Sequence, residues 1–98
     1  MMFERRKKYK DRAKQYHDAI KQILIKEWDP IGVKDVPEAQ DEYDSYVPGV
    51  YKLLIRRESE EKIFRYLWKI ETDFMALCGN RNHTKAIAHK LAKLTKEI

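Results

Sequence analysis

The sequence predicts an all-α fold: a small four-helix bundle-like domain with one irregular acidic-aromatic segment between helices 1 and 2. Three observations lead there. The 98 residues include only three glycines and three prolines, too few turn formers for a β-sandwich. Charged residues make up 38% of the chain, as suits short helices with one solvated face each. Apolar residues recur at gaps of three and four in four separate stretches, which is the spacing of one helical face. A chain of this length is expected to form a single helical domain, 1–98, with one modest core.

The first helix is expected over about residues 8–27. Tyr9, Ala13, Tyr16, Ile20 and Ile23 make one continuous stripe, and Leu24 widens it. Arg5, Arg6, Lys7 and Lys8 oppose the partial positive charge of a helix N-terminus, so residues 1–7 are expected to fray. Trp28 closes the helix and Asp29-Pro30 stops it, because proline disfavours α geometry in the residue before it. Gly32 is free to take a positive φ, and Pro37-Glu38 suits a short helical turn. The irregular stretch runs either to residue 37 or to about 44, and the longer version requires packing or a function.

The second helix carries Tyr43, Val47, Val50 and Leu54 and ends near Arg57. With Asp44 or Ser45 as N-cap, Pro48 falls in the first turn, where its missing N–H costs nothing; the alternative is a longer helix from Pro37 with a kink at Pro48. Ser59 caps the third helix, with Glu60 and Glu61 in its first turn. Ile63, Leu67, Ile70, Phe74 and Leu77 form its main stripe, and Phe64, Trp68 and Met75 a second one beside it. This widest apolar face makes the third helix the central element. Glu61–Arg65 and Lys69–Asp73 are i,i+4 pairs, and Gly79 is placed as a left-handed C-cap beside a half-buried Cys78. Asn82 or Thr84 starts the fourth helix, whose stripe is Ile87, Leu91, Leu94 and Ile98.

The net charge of +5 hides a strong division. Residues 1–14 sum to +5, residues 27–44 to −6 and residues 81–98 to +4. An acidic segment is thus flanked by basic ends. The ends suit nucleic acid or another polyanion, with Arg5, Arg6, Lys7, Lys8, Lys10 and Arg12 as contacts. Self-neutralisation, acid against basic helix, is the plainer explanation of the same pattern.

Catalytic and metal motifs are absent from the sequence, so no cofactor is expected. His17, His83 and His89 lack the spacing of a zinc site and read as surface residues. Asp41, Glu42 and Asp44, with Asp29 nearby, match no calcium loop, which leaves a small metal-dependent enzyme as the weakest reading. The lone Cys78 cannot form an internal disulfide, no run approaches the roughly 18 apolar residues of a membrane span, and the N-terminus lacks the apolar core of a signal peptide. A cytoplasmic protein without membrane contact is the simplest expectation.

Residues 28–47 concentrate aromatic and acidic side chains, which suits recognition of a basic protein surface. The expected contact residues are Trp28, Asp29, Asp41, Glu42, Tyr43, Asp44 and Tyr46. The competing explanation is that Trp28 and Ile31 plug the bundle while the acids cap a helix. Any stripe that four short helices leave uncovered would pair two copies of the chain.

The words Trp28-Asp29-Pro30-Ile31-Gly32-Val33 and Asp41-Glu42-Tyr43-Asp44-Ser45-Tyr46-Val47, with Pro37 between, resemble a family of short bacterial proteins of unknown function. The likeness extends through Leu53-Leu54, Ser59, Tyr66-Leu67 and Ile70-Glu71 to Met75 and Leu77, covering about residues 20–78. That pattern often has Gly where this chain has Ala76, so the end of the third helix departs from it. The resemblance implies a bacterial origin and a small helical fold, and no activity. Analogy with small acidic helical inhibitors of toxins and nucleases adds an inhibitor- or immunity-like role at the level of fold alone.

Overall fold

The computed structural model describes the backbone of residues 2–95 and the side chains of residues 12–95. Four α-helices account for most of it: α1 (Met2–Ile23), α2 (Val47–Ile55), α3 (Glu60–Lys69) and α4 (Arg81–Leu94). There is no strand among the described residues. No helix among them is long and apolar enough to cross a membrane.

Side-chain contacts fix the directions. Asp44 meets Lys21, and Tyr51 further on packs against His17 and Tyr16, so α2 runs antiparallel to α1. Tyr66 on α3 donates back to the Tyr46 carbonyl at the start of α2. His89 on α4 meets Glu60 at the start of α3, and Thr84 meets Glu71 beyond its end. The helices therefore alternate up, down, up, down. The core combines the predicted stripes: Ile20, Ile23 and Leu24, then Val47, Val50 and Leu54, then Ile63, Leu67 and Ile70, then Ile87 and Leu91.

Two helices do not end as α-helices. A π-helical turn, Leu24–Trp28, extends α1, and another, Ile70–Phe74, extends α3. Each closes on an i→i−5 hydrogen bond, Asp29 N–H to Leu24 O at 2.9 Å and Met75 N–H to Ile70 O at 2.9 Å. A π turn adds one residue to the helical cycle and rotates all that follows. On α3 this moves the buried face off its predicted register. Phe74, expected in the main stripe, is 70% exposed, while Glu71 is only 3% exposed.

Other local expectations are corrected. α1 begins at Met2, ahead of residue 8. Pro48 does lie in the first turn of α2, but neither Asp44 nor Ser45 caps it; both belong to a 3₁₀ turn, Asp44–Tyr46, that leads straight in. Ser59 caps α3 as expected, accepting from Lys62 N–H at 3.2 Å. Asn80, not Asn82 or Thr84, caps α4 by accepting from His83 N–H at 3.1 Å. Glu61–Arg65 pairs at 3.1 Å, whereas Lys69–Asp73 is not among the ion pairs of the described residues. Cys78 is exposed rather than half-buried. Gly79 is left-handed (φ +79°), yet it does not cap α3: Ala76 (φ +53°) takes that place. Ile98 lies outside the described residues.

Candidate functional site

Both π turns, the segment after each, and the start of α4 meet at one end of the bundle. The π turn of α1 turns Trp28 inward and that of α3 turns Glu71 inward. The Trp28 indole donates to Glu71 Oε1 at 2.9 Å, and the Thr84 hydroxyl donates to the same oxygen at 2.6 Å. The backbone N–H of Asn80 donates to Glu71 Oε2 at 2.8 Å. All these partners are neutral donors, so a carboxylate that can only accept is the matching form. One buried side chain thus ties together α1, α3 and α4. Gly79 makes room for it, since a Cβ there would lie 2.7 Å from Glu71 Oε2 and 2.8 Å from the Trp68 ring.

The acidic-aromatic segment hangs from this centre. Trp28 packs on Tyr43, with ring centroids 5.5 Å apart. The Tyr43 hydroxyl donates to Asp29 Oδ1 at 2.8 Å and accepts from Ile31 N–H at 3.0 Å. Asp29 Oδ1 also accepts from Val33 N–H at 2.8 Å, and Oδ2 from Lys34 N–H at 3.1 Å. Burial would raise the Asp29 pKa, but these hydrogen bonds, with Gly32 N–H, more than offset it and leave the carboxyl below its ordinary range. Burial, with Asp29 beside it, pushes the Tyr43 phenol up. Gln40 closes the far side, donating to the Lys34 and Val36 carbonyls at 2.9 Å each. The long version of the irregular stretch is therefore the correct one. It is a packed loop with a 3₁₀ turn at Pro37–Ala39, where proline favoured one.

The seven expected contact residues do not form one surface. Trp28 and Tyr43, each 2% exposed, are interior and offer no contact area, which corrects their assignment to the binding face. Asp29 is half-buried and engaged by its own loop. Asp44 is half-buried and pairs with Lys21 at 3.1 Å. Tyr46 is half-buried against the core. Only Asp41 and Glu42 are exposed, alongside Asp35 and Glu38, which belong to the same loop. Ile31, expected to plug the bundle beside Trp28, is 44% exposed, and Val36 is 40% exposed. Among the described residues no group of three or more His, Cys, Asp or Glu is placed to hold a metal ion.

Of the basic contacts, Arg12 is exposed on α1; the side chains of Arg5, Arg6, Lys7, Lys8 and Lys10 lie outside the described residues. The continuous helix still fixes their place. Lys10 and Asp29 are separated by nineteen residues of helix, roughly 28 Å at ~1.5 Å per residue. The loop acids therefore do not face residues 5–10. Where acids of the segment do pair within the chain, they pair with other lysines, Asp44 with Lys21 and Glu27 with Lys90.

Glu71 and Asn80 were not singled out as site residues by sequence, Thr84 was read only as a helix start and His83 only as a surface residue. Glu71 left one readable trace: it falls between Trp68 and Met75 at gaps of three and four, a charge inside the second apolar stripe. His83 donates from Nε2 to the Glu27 carbonyl at 2.7 Å, so this surface histidine caps the end of the first helix. His17 is half-buried against Tyr51, with centroids 4.6 Å apart, and His89 is exposed.

Compared with protein-family models, curated proteins and solved structures, the chain gives no match in any of the three.

Proposed function

We propose that the protein is a non-enzymatic protein-interaction module whose binding element is the loop between Pro30 and Glu42. The observation that carries this reading is the loop's two-sidedness. Its inner side is tied by Asp29, Tyr43 and Gln40. Its outer side exposes Asp35, Glu38, Asp41 and Glu42 together with Ile31 and Val36. A loop held in shape before binding loses little conformational entropy on binding, and acids around exposed apolar residues complement a basic partner. Inhibition of a basic enzyme is one form that such binding takes.

The test is a pull-down from a bacterial lysate, the setting that the family resemblance implies. Wild type and the variant D35N/E38Q/D41N/E42Q are compared, and none of the four substituted side chains is buried. The partners of wild type are expected to be lost from the variant. Equal retention would contradict the reading.

One observation favours a second reading, polyanion binding at the opposite end. α4 runs antiparallel to α1, and Leu94 shares a shallow depression with Gln15, Tyr16 and Ala19. The end of α4 thus lies toward the basic first half of α1, with Arg12, Lys14 and Lys93 exposed. This reading expects retention on heparin that weakens steeply with salt; no retention at low salt would exclude it.

A further inference from the structure

A depression of about 280 Å³ lies between α3 and α4, lined by Glu60, Glu61, Phe64, Arg81 and Lys85. None of these residues belongs to the acidic loop or to the Glu71 centre. The floor is aromatic: Phe64 and Trp68, one turn apart on α3, are stacked with ring centroids 5.8 Å apart. Two cations of α4 are held over it. The Arg81 guanidinium carbon is 5.2 Å from the Phe64 centroid and 6.0 Å from that of Trp68, and Lys85 Nζ is 5.8 Å from Phe64.

The two walls differ in what their charges already do. On the α3 side both carboxylates are engaged, Glu61 by Arg65 at 3.1 Å and Glu60 by His89 Nδ1 at 2.7 Å. On the α4 side neither cation is. Arg81 and Lys85 form no ion pair and no side-chain hydrogen bond with any described residue. Their own helix does not neutralise them, since Arg81–Leu94 contains no acidic residue. At i,i+4 the two repel each other, and Arg81, the first residue of α4, stands against the positive end of the helix dipole. Contact with the rings fixes the charged heads in place. It leaves their donors free, because a guanidinium over a ring keeps its N–H groups along its edge and an ammonium keeps those turned away from the ring.

Two fixed cations with free donors, one helical turn apart, match an anion whose oxygens reach both. We infer that this depression binds a phosphate monoester. Its dianion answers two positive charges where a carboxylate answers one, and its oxygens accept from Arg81 and Lys85 together. The remaining volume over Phe64 takes the group that carries the phosphate. The phosphoryl group is common to phosphorylated side chains and to small phosphorylated molecules. The site is independent of the loop reading and adds a second kind of ligand to the molecule.

The experiment titrates the ¹⁵N-labelled full chain at pH 7.5 and constant ionic strength with Nα-acetyl-O-phosphoserine N-methylamide, glycerol 3-phosphate and acetate. The backbone amides of Arg81, Lys85 and Phe64 are the reporters. The expected result is saturable shifts with both phosphate esters, half-complete below about 10 mM, and binding at least tenfold weaker with acetate. Tighter binding of the phosphoserine compound assigns the phosphate to a protein, and tighter binding of glycerol 3-phosphate assigns it to a small molecule. The variant R81Q/K85Q changes two exposed side chains, so its fold is kept, as an unmoved Trp28 indole N–H signal checks. In that variant the affinity for both esters is expected to fall at least tenfold. No saturation in this range, acetate binding as tightly as the esters, or a loss of less than tenfold in the folded variant would each overturn the inference.

Discussion

Glu71 is where the chemistry of single residues matters most. A buried carboxylate that keeps its hydrogen-bond donors is stable, and one that loses a donor is left partly unsatisfied. Thr84→Val keeps the volume of a fully buried side chain and removes the hydroxyl that donates at 2.6 Å. It is expected to cost about 1.5–3 kcal/mol in urea-unfolding measurements, the range for hydrogen bonds to charged groups. Asp29 sets a dependence on pH. Its folded pKa lies below the ordinary value, so its contribution to stability is present above about pH 4, the unfolded value, and is lost as pH falls through the lower folded value. Asp29→Asn should lower stability at pH 7 and flatten the loss of stability below about pH 4. Parallel acid unfolding curves for wild type and variant would contradict that account.

At the scale of elements, helix ends decide where side chains point. Ala76 holds a left-handed conformation after the π turn of α3, and Leu77 N–H reaches back to the Glu71 carbonyl at 3.1 Å. A side chain there is strained and glycine is not, so Ala76→Gly should stabilise the fold by about 0.5–1 kcal/mol, read as a raised Tm. Gly79→Ala should do the reverse, because its Cβ would meet Glu71 and Trp68 and its φ is left-handed. The helices themselves were legible in the sequence. The stripes Ile20–Leu24, Val47–Leu54, Ile63–Ile70 and Ile87–Leu91 were read from their spacing and are buried. Periodicity failed at Phe74 because a π turn adds a residue that a 3.6-residue repeat does not contain. The loop was legible as a break, but not its inner ties: that Asp29 meets Tyr43 depends on the chain returning fourteen residues later, which no local spacing encodes.

For the whole molecule, charge is separated along α1. The loop acids gather at the end where α1 and α3 finish, and the basic start of α1 lies toward the other. The helix dipole of α1 points the same way, negative end toward the acidic loop. This makes the loop end attractive to a cationic partner at long range, with association that slows as salt screens it. All of this depends on the loop being built before any partner arrives. Amide hydrogen exchange of the free chain at pH 7 tests that directly at Ile31, Val33 and Lys34. Their N–H groups are bonded to the Tyr43 hydroxyl and the Asp29 carboxylate. Protection of these three amides well above that of an open chain, and its loss in Asp29→Asn, is the predicted result. Exchange at open-chain rates in the wild type would contradict a preformed loop, and with it the proposed binding face.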